Sequence, residues 1–89
     1  MLNTEQICKG AIAVVERYLD DGFVYWVGYM HDELQEAQEA VDDAWDESIS
    51  RKSTRLCRLC RAAWHACLAA KNDERVIAKV YADEYWDQA

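Results

Sequence analysis

Eighty-nine residues with a net charge of −7, 52% hydrophobic side chains and no proline describe a globular acidic chain of one domain, large enough for a modest core without staples. This balance argues against a disordered tail, and against attachment of the whole protein to DNA or an anionic membrane. The longest unbroken apolar stretch, Phe23 to Met30, is far too short to span a bilayer, and the opening MLNTEQICKG lacks the basic start and apolar run of a signal peptide. The expected location is therefore the cytoplasm, where the four cysteines are expected as free thiols.

Apolar residues recur with helical period along nearly the whole chain. Ile7, Cys8, Ala11, Ile12, Val15, Tyr18 and Leu19 share one face of a first predicted helix. Asn3 is placed to cap it, with Gln6 three residues on in capping-box position. Asp20-Asp21-Gly22 is expected to end it, Gly22 taking the left-handed conformation. The following FVYWVGYM is rich in strand formers. Yet Phe23, Trp26, Val27, Met30, Leu34, Ala37, Val41, Ala44 and Trp45 hold one helical phase, which predicts a single long helix from about Phe23 to Ser48. A short strand or a break near Gly28 is the alternative. Ser48-Ile49-Ser50 reads as a turn, either serine capping a third helix from about Arg51 to Lys71. Its buried face is expected to carry Leu56, Cys57, Cys60, Ala63, Trp64, Cys67 and Leu68. Asn72-Asp73 separates it from a last helix striped by Val76, Ile77, Val80, Tyr81 and Tyr85. Short connections imply antiparallel neighbours, and so an all-α, up-down bundle of about four helices.

Charge is segregated along the chain. Residues 31–48 carry 8 acids and no Lys or Arg, whereas residues 49–71 carry 6 bases and no acid. Asp32, Glu36, Glu39, Asp43 and Asp46 step by three or four residues and so form a row opposite the apolar stripe of the second helix. Arg51, Arg55, Arg58 and Arg61 form a row on the third. Two readings follow. Either the two rows pair within the bundle, or the carboxylates face outward as a surface for a basic partner. The arginine row with His65 is also a candidate phosphate surface, but no aromatics interleave it and no nucleic-acid motif is present, so direct nucleic-acid binding is disfavoured.

Cys57-x-x-Cys60 lies inside a strong helical pattern with no knuckle glycine, which points to core packing of Cys57, Cys60 and Cys67. A metal site built from these three, with Cys8, is the alternative. His31 and His65 read as structural. Neither a nucleophile–base pair nor a glycine-rich phosphate loop stands out, so no catalytic residue and no cofactor is assigned. Tyr25, Tyr29 and Trp86 lie off the apolar stripes and, if exposed, suit an interface with another protein or a second copy of the chain.

The expected function is therefore binding. The partner-contacting candidates are the five carboxylates, which steer, and the three aromatics, which anchor. In size, acidity and helical build the chain resembles small phage or mobile-element proteins that block host nucleases, anti-CRISPR and anti-restriction proteins among them. That resemblance implies an inhibitor or regulator seated on a basic, nucleic-acid-binding surface, and it transfers no residue roles. A homo-oligomeric helical adaptor and a small cysteine-based metal protein are the other readings.

Overall fold

In the computed structural model, which describes residues 2–21 and 27–89 (side chains of 21 and 27–30 apart), four helices follow in order: α1 Thr4–Asp21, α2 Val27–Ser50, α3 Thr54–Lys71 and α4 Arg75–Gln88. They pack against one another with no strand among the described residues, the all-α bundle the periodicity implies. The expectations for Gly22, Phe23 and Trp26 lie outside the described residues.

The N-terminus of α1 forms as its sequence dictates. The Gln6 N–H donates to Asn3 Oδ1 at 2.8 Å and the Asn3 N–H donates to Gln6 Oε1 at 3.0 Å, a reciprocal capping box. Cys8, Ala11, Ile12, Val15 and Tyr18 are buried on the predicted face.

The α2–α3 boundary is displaced from its expected place. Ser48 and Ser50 do not make a turn; both remain helical, their hydroxyls donating to the carbonyls of Trp45 at 2.7 Å and Asp46 at 3.2 Å. Such back-bonding lets serine sit inside a helix. The turn comes at Arg51–Ser53, with Lys52 in the left-handed region at φ 56, and Ser53 caps α3 by accepting from the Leu56 N–H at 3.3 Å. The Ser53 N–H reaches back to the Ser48 carbonyl and the Lys52 N–H to that of Ile49, the paired bonds of a Schellman ending. The same pattern closes α3, where Asp73 has φ 58, its N–H bonds the Ala70 carbonyl and the Glu74 N–H bonds that of Ala69. Helix-ending left-handed residues are usually glycine. Lysine and aspartate hold these two positions, so the sequence carried no such signal.

α3 is the hub, the one helix packed against all three others. A single stripe cannot serve three neighbours, and its buried set is accordingly wider than expected: Leu59, Cys60, Ala62, Ala63, Ala66, Cys67, Ala69 and Ala70. Leu56, Cys57, Trp64 and Leu68 are only half-buried. α4 departs further from its predicted stripe. Its buried face is Ala78, Ala82 and Tyr85, while Val76, Ile77 and Val80 are 78%, 46% and 58% exposed. The alanines of α4 meet an alanine-rich helix, and small side chains on both sides let the backbones approach where bulkier valines would hold them apart. Among the large side chains, Tyr85, Ile12, Leu34 and Leu59 are fully buried, each contributing about 1.5–3 kcal/mol by area.

Candidate functional site: the carboxylate face of α2

α2 buries Leu34, Gln38, Val41, Ala44 and Ser48. At about 100° per residue, that set points Asp32, Glu36, Glu39, Asp43 and Asp46 to within roughly 40° of the opposite direction. All five are exposed. The row runs roughly 21 Å along the axis, about one carboxylate per 5 Å. Its neighbours do not neutralise it: among the described residues none of the five enters an ion pair, and the one side-chain bond to the row is from the Gln35 amide to Glu39 Oε1 at 2.9 Å.

The arginines are spent elsewhere. Arg55 pairs with Glu5 of α1 at 2.9 Å, and Arg61 with Glu84 of α4 at 3.1 Å. Arg51 belongs to the turn and pairs with Glu47 one helical turn back, at 2.8 Å. Arg58 is exposed and has no ion pair among the described residues. The pairing of the acidic row with Arg51, Arg55, Arg58 and Arg61 is therefore not found. α3 turns its apolar side to α2 and its arginines to α1, α4 and solvent.

On the edge of α2 next to α3, the single cation is held inward. Lys71 donates to Gln38 Oε1 at 2.8 Å and to Gln35 Oε1, its ammonium gathered by two amides rather than by a carboxylate. Gln38, which sequence reasoning passed over as a surface polar residue, is buried by this bond. Glu33 stands outside the row and pairs with Arg17 of α1.

The aromatic candidates divide. Tyr25 and the side chain of Tyr29 lie outside the described residues. Trp86 is 44% exposed and sits at the flank of α4 beside α1, its indole N–H donating to Glu16 Oε1 at 2.6 Å. His65 is half-buried and stacked on Tyr81, ring centroids 5.0 Å apart, while His31 is exposed.

Cys8, Cys60 and Cys67 are buried and Cys57 half-buried, all as free thiols. The Cys8 and Cys60 sulfurs touch at 3.5 Å across the α1–α3 contact, and Cys57 Sγ lies 3.3 Å from Ser48 Oγ. Its bond with Cys60 and its burial hold the Cys8 thiol well above the ordinary range, and burial pushes Cys67 up to about 12. These are protonated, packed thiols, not thiolates poised to bind or attack. Among the described residues no three His, Cys, Asp or Glu side chains converge in a way that would hold a metal ion, and no helix is long and apolar enough to cross a membrane.

The fold and surface thus define a small α-helical bundle with one strongly acidic helix face. No known protein family matches the chain, and neither a curated protein nor a solved structure is significantly similar to it.

Proposed function

We propose that the chain is a non-enzymatic, cytoplasmic binding protein that docks the outer face of α2 on a basic surface of another protein, in the manner of a small anti-CRISPR or anti-restriction inhibitor. The observation that carries this reading is the row Asp32, Glu36, Glu39, Asp43 and Asp46, exposed and without cations while the arginines of the neighbouring helix are committed to other acids. Five like charges at helical spacing repel by ~0.2–0.5 kcal/mol per adjacent pair, a standing cost that a basic partner relieves. One carboxylate per ~5 Å approaches the density of a nucleic-acid strand, with a phosphate every ~3.4 Å. A cleft shaped for that backbone, such as the channel of a nuclease complex, has the matching chemistry.

The test is capture of nucleic-acid enzymes on the tagged chain, followed by elution with duplex DNA and with rising salt. The reading expects capture that DNA competes away and that high salt releases. It further expects the triple reversal Glu36→Lys, Glu39→Lys, Asp43→Lys to abolish capture with helicity unchanged. Capture that survives the triple reversal sinks it.

A further inference from the structure

We infer that the outer flank of α4 is a self-association surface, on which α4 of a second copy lies antiparallel. The inference goes beyond the acidic-face reading and uses none of its residues. Val76, at 78%, is the most exposed large apolar side chain described, and it shares α4 with the half-exposed Trp86. At about 100° per residue, Arg75, Val76, Lys79, Asp83, Trp86 and Asp87 all lie within a sector of about 120° on one side of the buried face.

The order of these six is what selects a second copy over a foreign partner. A two-fold contact between antiparallel helices pairs each residue with the one equally far on the other side of the axis, and each such contact occurs twice. With the axis at the level of Tyr81, which points inward, Lys79 meets Asp83 of the second copy, Arg75 meets its Asp87 and Val76 meets its Trp86. The lateral offsets agree as well, since Lys79 and Asp83 stand about 20° to opposite sides of the axis, and Val76 and Trp86 about 40°. Cations in the first half of the sector and acids in the second make the face complementary to itself. Lys79 and Asp83 stand 3.8 Å apart within the helix, 71% and 65% exposed, so each is free to reach across.

The net charge of −7 does not oppose this contact. Among the described residues α2 and α4 do not touch, α3 lying between them, so the two acidic faces stay distant in the pair. A strip one short helix long is small beside a standard interface, and a reversible micromolar dimer is expected rather than a permanent one.

The experiment is sedimentation of the full chain over a concentration series from micromolar to millimolar. The expected mass rises from 10.3 kDa to twice that value. Lys79→Glu alone and Asp83→Lys alone each place like charges across the axis, and each is expected to weaken the dimer at least tenfold while circular dichroism stays that of a folded helical protein. Mixed in equal amounts, the two variants restore both cross-axis pairs, and a heterodimer with near-native affinity is expected. Loss of the intrahelical pair cannot be rescued this way. A chain monomeric at every concentration overturns the inference, as does a dimer indifferent to both substitutions or a mixture without rescue.

Discussion

α2 and α3 carry rows of like charge of similar length and opposite sign, yet they solve the problem differently. On α3, Arg55 and Arg61 each cross to an acid on another helix, Glu5 or Glu84, so its charges help hold the bundle together. On α2, five carboxylates face away from every cation among the described residues. The lesson is that same-sign rows at helical spacing are not equivalent evidence. Segregation of charge in the sequence is shared by both, and only the direction in which the neighbouring helix points its own charges separates an architectural row from a free one.

The comparison breaks most severely if α3 proves dispensable. Leu59→Ala, at the fully buried centre of the hub, is expected to lower unfolding free energy by about 2–5 kcal/mol in urea titrations. A loss under 1 kcal/mol would mean that α3 is not the element the others depend on. Alkaline unfolding tests the same helix. The Cys67 thiol ordinarily titrates near 9.0, and burial raises it to about 12. Below pH 9 it is protonated in both folded and unfolded chains and its contribution is fully present. As pH rises above 9 only the unfolded chain ionises, so stability falls toward pH 12, by up to about 4 kcal/mol at three pH units. Cys67→Ala removes this slope, which chemical denaturation at a series of pH values reads directly. The smallest effect sharpens the contrast by its sign. Replacing the five row carboxylates with their amides is expected to raise stability by about 1–2 kcal/mol at low ionic strength, and less as salt is added. Arg61→Ala, breaking a half-exposed pair, is expected to lower it by about 0.2–1 kcal/mol. A destabilised amide variant would show that the row is structural after all.

Local interactions were legible in the sequence. Asn3 and Gln6 spell their capping box within four residues, and the acidic face of α2 follows from spacing alone once Leu34, Val41 and Ala44 fix its inner side. What depends on distant partners was not. The sequence placed arginines on α3 but gave no means of knowing that Glu5, 50 residues away in the chain, takes Arg55. The inner face of α4 was misassigned because valine outranks alanine as a hydrophobe, while the surface it meets on α3 rewards smallness. The α2–α3 turn was misplaced because its left-handed residue is Lys52, where a glycine would have announced it.

Five of the eight buried residues of α3 are alanines. Alanine has no rotamers to freeze, so ordering it in the core carries no side-chain entropy loss, against ~0.5–1 kcal/mol for each leucine or isoleucine. The hub of this bundle therefore assembles with little disorder to surrender beyond that of its backbone. The same flatness gives its neighbours few teeth to mesh with. Axial register then falls to the few large side chains around it, Tyr85, Ile12, Leu34 and Leu59, which act less as filling than as pegs that stop smooth cylinders from sliding past one another.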